Sequence, residues 1–151
     1  MKNLQVNDPA PYFEGVDQNG DPIRMDDFEG KKIALYFYPK DNTPGCTNQA
    51  CNLRDNYQAL QDAGYVLIGV SADSVESHKK FEKKYELPFP LIADTDKKII
   101  HDYGIWGPKK FMGRKYDGIH RRTFLINEER KIEKIIDKVK TKDHTSQILN
   151  L

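Results

Sequence analysis

Cysteine is the residue with the most chemistry to offer in this chain, and among 151 residues there are two, Cys46 and Cys51. Cys46 falls where a loop, residues 40–45, runs into a stretch, 47–62, that holds neither Gly nor Pro. A helix start presents backbone N–H groups without partners and the positive end of the helix dipole. Both favour thiolate over thiol, so such a position lowers a cysteine pKa. Thr43, three residues earlier, brings a hydroxyl towards the sulfur. Pro44 and Gly45 shape a tight turn and let the backbone approach a small substrate. The residues alone leave a second reading open, an inert buried cysteine at an ordinary helix start.

Cys51 lies five residues further on, along the same expected helix. At about 3.6 residues per turn and 1.5 Å rise, the two Cα atoms would sit roughly 8.5 Å apart. A disulfide needs them within about 7 Å. A static structural disulfide therefore does not fit an intact helix, and a transient one requires the helix to open. The alternative for Cys51 is a small core residue.

Two cysteines also offer chemistries other than a reactive thiolate. A disulfide oxidoreductase of the thioredoxin type separates its cysteines by two residues; here four intervene. A structural or sensing metal site would need two ligands more. His78, His101, His120 and His144 are scattered, with no closely spaced pair, so no metal is expected. A cysteine-based redox sensor is the remaining alternative. Asp94-Thr95-Asp96 lacks the glycine and final Glu of a calcium loop and reads as a turn into a helix. No phosphate-binding loop or dinucleotide fingerprint occurs. Lys79, Lys80, Lys83 and Lys84 read as a solvated helix face. Trp106, Tyr103 and Phe111 fit either a wall near the site or core packing.

The elements that must position these residues follow from pattern. Residues 33–38 form a continuous apolar run with branched and aromatic side chains, a strand buried on both faces. Pro39 ends it. The helix after Cys46 carries Ala50, Leu53, Tyr57, Leu60 and Ala63 at helical spacing, and Gly64 stops it. Residues 66–70 are a second buried strand. Asp73 and Glu76 resemble a capping box for a helix through about Tyr85, with Val75, Phe81 and Tyr85 inward. Residues 91–93 make a short third strand, and 97–103 a short helix. Residues 121–126 and 132–136 form a closing hairpin, and a last turn or two of helix follows Asp143. The first 30 residues read as turns around short edge strands, with Asn19-Gly20 a hairpin turn. This order predicts an α/β fold, one central mixed sheet flanked by helices. Chemistry in such sheets gathers at the carboxyl ends of the strands, where residues 39–46 lie.

The length suits one domain, 1–151, with an adequate core. Lys and Arg total 24 against 23 Asp and Glu, so no strong net field draws in nucleic acid or an anionic membrane. No apolar run reaches the roughly 20 residues of a membrane span. The expected compartment is the cytoplasm.

The segment from Tyr36 to Thr47, YFYPKDNTPGCT, resembles the active-site segment of the peroxiredoxins. Pro39, Thr43 and Cys46 meet that family's spacing. Gln49-Ala50-Cys51-Asn52-Leu53-Arg54-Asp55 is similar to its bacterioferritin comigratory protein, or PrxQ, subgroup, in many of which a second cysteine follows by five residues. Gln49 stands where many relatives carry Glu. Residues 69–74, 116–126 and 141–144 extend the likeness over most of the chain. The resemblance implies a thioredoxin-like fold, a peroxidatic Cys46 and a resolving Cys51. It also implies that Thr43 and an arginine three residues before Phe124, Arg121, complete the site; strand alternation alone does not choose between Arg121 and Arg122. Pro39, Pro44 and Gly45 would shape the substrate site. A hydroperoxide substrate, thioredoxin or a glutaredoxin-like protein as reductant, no bound cofactor and a monomer complete what the resemblance implies.

Overall fold

The computed structural model describes residues 3–150. The chain opens with β1 (Glu14–Val16) and β2 (Pro22–Arg24), and a single 3-10 turn, Met25–Phe28, leads to β3 (Lys32–Phe37). Then come α1 (Pro44–Asp55), α2 (Tyr57–Asp62), β4 (Tyr65–Ser71), α3 (Val75–Tyr85), β5 (Leu91–Ala93) and α4 (Lys98–Asp102). A hairpin of β6 (Trp106–Phe111) and β7 (Arg114–Ile119) precedes β8 (Arg122–Ile126), β9 (Ile132–Ile136) and α5 (His144–Leu149). Five strands form the central sheet, in the order β5-β4-β3-β8-β9, with β3 in the middle. β3 pairs parallel with β4 and antiparallel with β8, so the sheet is mixed as expected. No helix among the described residues is long and apolar enough to cross a membrane.

The apolar run of β3 is explained by its two buried faces. Ile33, Leu35 and Phe37 enter one core cluster with Ile68, Val70, Ile99, Ile100, Phe124 and Ile126. Ala34, Tyr36 and Tyr38 enter the other, with Cys46, Ala50, Leu53, Phe81, Leu125 and Ile148. α4 thus covers one face, and α1, α3 and α5 the other. Room for Tyr36 on the α1 face comes from Gly69, its partner in register on β4. A Cβ at Gly69 would stand 2.8 Å from the Tyr36 ring. The ladder ends at Tyr38, whose N–H donates to Val70 O at 3.1 Å. Pro39 then brings no donor of its own.

Several expectations are corrected. The first helix begins three residues earlier than the spacing indicated and breaks at Asn56. The break has a tertiary cause. The carbonyl of Asn52 accepts Asn56 Nδ2 at 2.8 Å and Thr145 Oγ1 at 3.3 Å, so it is held outside the regular ladder. Asp73 does not cap α3: Ser74 does, accepting the N–H of Ser77 at 3.1 Å. His78 is fully buried on that helix, whereas Val75 and Tyr85 are half-buried. β1 and β2 pair with one another rather than edging the main sheet. Their connection is a five-residue turn, closed by Asp17 N–H to Asp21 O, with Gly20 at φ 78. The β6–β7 hairpin was not foreseen; its turn uses Met112 at φ 51 and Gly113 at φ 81. Trp106, Tyr103 and Phe111 form no common wall. Tyr103 is core and donates to Pro11 O, while Phe111 is 66% exposed on the hairpin. Asp94-Thr95-Asp96 does lead into α4, with the Asp94 carboxylate accepting the N–H groups of Ile99 and Ile100.

α5 is tied to the sheet through a buried histidine. His144 Nε2 receives the hydroxyl of Thr123 at 2.8 Å, and its Nδ1 donates to Gln147 Oε1 at 2.9 Å. Gln147 Oε1 also accepts Lys140 N–H, which identifies the oxygen. Burial, the largest influence, holds the His144 pKa down to about 4. A histidine free in the unfolded chain titrates near 6.5, so between these values the unfolded state binds more protons. Stability is therefore full above about pH 6.5 and is lost as pH falls towards about 4. Between pH 6.5 and 5 the free energy of unfolding is expected to fall by about 2 kcal/mol from this group. Urea titration across that window checks it, and the slope should flatten in His144→Gln.

Candidate active site

The site is assembled where the carboxyl end of β3 meets the first turn of α1. Thr43 is the residue before the helix, with extended backbone, and Pro44 takes the first helical position. Pro suits that position because its missing N–H had no helical acceptor anyway. Cys46 is then the third residue of α1 and only 2% exposed. Regular bonding starts with Thr47 N–H to Thr43 O at 2.8 Å, so the N–H groups of Gly45 and Cys46 have no helical acceptor. They point their dipoles to the end of the helix where negative charge on sulfur is favoured.

The second half of the site arrives from β8. Its antiparallel register sets Arg122 opposite Phe37 and Thr123 opposite Tyr36. The residue before the strand, Arg121, therefore stands at the carboxyl end of β3. Alternation gives it the face of Thr123 and Leu125, the face that α1 and α5 cover. Arg122 takes the opposite face. Arg121 Nη2 lies 3.3 Å from Cys46 Sγ, and its Nη1 donates to Gln49 Oε1 at 2.7 Å. One guanidinium edge thus spans the sulfur and an amide one helical turn on. Gln49 is fully buried and, being neutral, orients the fork without cancelling its charge. Its Nε2 has no partner, as is also true of the buried Tyr36 hydroxyl. The close approach needs Gly45: a Cβ there would meet Arg121 Nη2 at 3.2 Å.

Thr43 is half-buried, and its hydroxyl donates to Lys40 O at 2.9 Å. With its proton committed there, the oxygen presents lone pairs to an incoming O–H. Pro39, before this turn in the chain, is half-buried, and Pro44, after it, is exposed. Lys109, from β6, was not anticipated from the sequence. Its ammonium donates to Ile119 O at 2.9 Å. Burial first, and the Arg121 charge second, push its pKa down, while negative charge on Cys46 opposes the shift. Tyr36 is held strongly protonated, by burial first and by Cys46 charge next.

Cys51 is on the same helix, half-buried, and both cysteines are free. Immediately beyond it, Asn52 is bound to the tail. Its Oδ1 accepts Thr145 N–H at 2.8 Å and its Nδ2 donates to Lys142 O at 3.0 Å. A further missed group lies behind the loop of residues 39–43. Asp41, Asp73 and His78 bring one ligand-type atom each within 4.8 Å of one another. These atoms are engaged in hydrogen bonds among themselves and to Tyr38, Ser71 and Ser77.

The arrangement can hold a thiolate and stabilise negative charge that moves from the sulfur onto an oxygen beside it. Comparison with known proteins places the whole chain. Residues 6–135 match the AhpC/TSA family. The chain is similar to "Peroxiredoxin Bcp" of Escherichia coli K12, 45% identical over 150 residues, covering 99% of this chain and 96% of that one. It is also similar to "Peroxiredoxin Bcp" of Bacillus subtilis 168, 43% identical over 146 residues, covering 97% and 93%. Among solved structures, PrxQ of Xylella fastidiosa superposes with a TM-score of 0.92 at 27% identity, covering 99% and 96%. Peroxiredoxin Q of Xanthomonas campestris does so with a TM-score of 0.85 at 32% identity, covering 91% and 88%.

The two arginines are expected to separate cleanly. Arg121→Ala should slow the oxidation of Cys46 by hydrogen peroxide about a hundredfold or more, the usual loss for one preorganised donor. Arg122→Ala should leave that rate unchanged. Stopped-flow oxidation measures both.

Proposed function

Because the chain belongs to the AhpC/TSA family, within its Bcp/PrxQ peroxiredoxins, and is a thiol-dependent peroxidase, we propose that Cys46 is its peroxidatic residue and Cys51 its resolving one. The observation that carries the assignment is the 3.3 Å contact between Arg121 Nη2 and Cys46 Sγ at a helix start. The Cys46 thiolate attacks the outer oxygen of a hydroperoxide. An S–O bond forms, the O–O bond breaks, and the departing oxygen takes a proton to leave as water or an alcohol. Sulfur is oxidised by two electrons to the sulfenic acid, the first reversible rung of cysteine oxidation. Arg121 stays charged at any working pH, so it favours thiolate and shares the charge transferred to the leaving oxygen. The Thr43 oxygen accepts the hydroperoxide proton's hydrogen bond and aligns the O–O bond with sulfur. Gly45 and Cys46 N–H groups add dipoles around the same charge. Pro39 and Pro44 shape the entrance.

Cys51 then attacks the sulfenic sulfur, water leaves, and an internal disulfide remains. An external dithiol restores both thiols by exchange. We take this donor to be thioredoxin or a glutaredoxin-like protein. The protein works as a single-domain cytoplasmic monomer in this reading, since Cys51 removes the need for a second subunit's cysteine. No nucleic acid, metal or bound cofactor has a part in the cycle.

The pairing requires α1 to open, and its anchors say where. Asn52 is held to residues 142–145 from its side chain and its carbonyl. The stretch before it is held by Arg121, whose contact with Cys46 sulfur is lost when that sulfur is oxidised and moves. Unwinding should therefore run through residues 44–51 and stop at Asn52, because helix ends open more cheaply than whole domains.

One equivalent of peroxide should remove two hydrogens from the reduced protein by mass. Cys46→Ser should consume none, and Cys51→Ser should accumulate a sulfenic acid that a dione probe traps. In the disulfide form, amide exchange should accelerate over residues 46–51 and stay unchanged at 53–55. Turnover surviving in Cys46→Ser would reverse the assignment, and equal exchange in both forms would rule out the Cys46–Cys51 disulfide.

A further inference from the structure

The loop of residues 39–43 sets where Thr43 stands, and it adopts a conformation its residues do not favour by themselves. Asn42 lies at φ 60, the left-handed region that side chains other than glycine enter at a cost. Such a conformation persists only where the surroundings over-determine it. Here the surroundings are α3 and the ends of β4 and β5. Asn42 Oδ1 accepts the Tyr85 hydroxyl at 3.0 Å. The N–H of Asp41 donates to Asp73 Oδ2 at 2.8 Å, and the Ser71 hydroxyl donates to the same oxygen at 2.7 Å. This use of Asp73 explains why it does not cap α3.

The Asp41 carboxylate makes the deepest anchor. It is 7% exposed. Oδ1 accepts the Tyr38 hydroxyl at 2.6 Å. Oδ2 accepts the Ser77 hydroxyl at 2.8 Å and lies 2.7 Å from His78 Nδ1. His78 has no exposed surface, and its Nε2 is 2.9 Å from the carbonyl of Ile92. A carbonyl only accepts, so Nε2 carries a hydrogen. Nδ1 then shares a second proton with Asp41, and one buried proton bridges loop and helix. Both oxygens of the buried carboxylate and both ring nitrogens of His78 thereby have partners. His78 is remote in sequence from Cys46 and the cycle described above makes no use of it.

We propose that His78 is a positioning residue for the peroxide step: through the proton-bridged contact with Asp41 it fixes the loop that presents the Thr43 oxygen. It does not act on the Arg121–Cys46 contact, which is held from β8 and Gln49. This rests on the assignment of Cys46 and Thr43 above. The two influences on Cys46 are thus separable, with Arg121 governing the thiolate and His78 governing alignment of the bound hydroperoxide.

The test measures two rates on each variant, oxidation by hydrogen peroxide and alkylation by iodoacetamide against pH. His78→Leu should slow oxidation at least tenfold while the alkylation rate of Cys46 is unchanged across the pH range. His78→Asn, which restores a donor facing Asp41, should recover most of the lost rate. In a Thr43→Val background His78→Leu should cost nothing further, since both changes remove the same alignment. Oxidation unchanged within twofold would overturn the proposal, as would a parallel fall in oxidation and alkylation, or full additivity with Thr43→Val. Should His78→Leu not fold, Ser77→Ala removes one donor from Asp41 and must show the same selective loss on a smaller scale. Peroxide consumption by Cys46→Ser would instead strike the underlying assignment, independently of how His78 variants behave.

Discussion

Cys46 is buried, and negative charge on a buried sulfur is costly unless fixed positive charge stands beside it. The Arg121 guanidinium supplies that charge, 3.3 Å away. Much else follows from this pairing. The antiparallel register of β3 with β8 brings the start of one strand to the end of the other. Gly45 leaves space where any Cβ would press on the guanidinium. Gln49 holds the far side of the fork with an amide oxygen, so orientation is obtained without a competing carboxylate. The first turn of α1 then contributes its unpaired N–H groups to the same point.

The helix whose first turn carries Cys46 also holds Cys51, five residues further on. In the proposed cycle the closed arrangement serves the oxidation step and obstructs the disulfide step. The two requirements meet in how α1 is fastened. Its beginning is held chiefly by contacts to the sulfur and to Gln49, which oxidation disturbs. Its later part is fastened through Asn52 to the C-terminal segment by contacts that oxidation leaves alone. An element that must open and close each turnover belongs to the less stable part of a fold, while its far end must remain packed. The break at Asn56 belongs to the same fastening, because the Asn52 carbonyl is turned to Asn56 and Thr145 side chains.

Local rules yielded wherever the site needed a side chain elsewhere. Asp73 and Glu76 have capping-box spacing, yet Asp73 holds the backbone of Asp41, and Ser74 takes the cap. Asn42 accepts an unfavourable φ because its neighbours are tied on both sides. His78, on a helix with four lysines, is turned inward to meet a carboxylate and a carbonyl.

What the sequence by itself determined was the frame and the places of the two cysteines on it. The unbroken apolar run of residues 33–38 could only be a strand covered on both faces, because either face exposed would leave large apolar surface in water. Pro39 had to end its ladder, and Cys46 had to fall near the start of the Gly- and Pro-free helix that follows. Five-residue spacing already placed Cys51 beyond disulfide reach on that helix. These are properties of neighbours along the chain, carried by periodicity and backbone geometry. Which arginine meets Cys46 was different. Arg121 and Arg122 face opposite ways, and both faces are buried, so alternation could not choose; family likeness pointed to Arg121, and the pairing of β8 against β3 is what brings it to the sulfur. The Asp41–His78 contact spans 37 residues and leaves no periodic trace. The unforeseen β6–β7 hairpin has exposed residues on both faces towards its tip, so no burial pattern marked it. Contacts between distant segments are set by how the sheet assembles and which atoms it strands without water, and that was decided only by the tertiary structure.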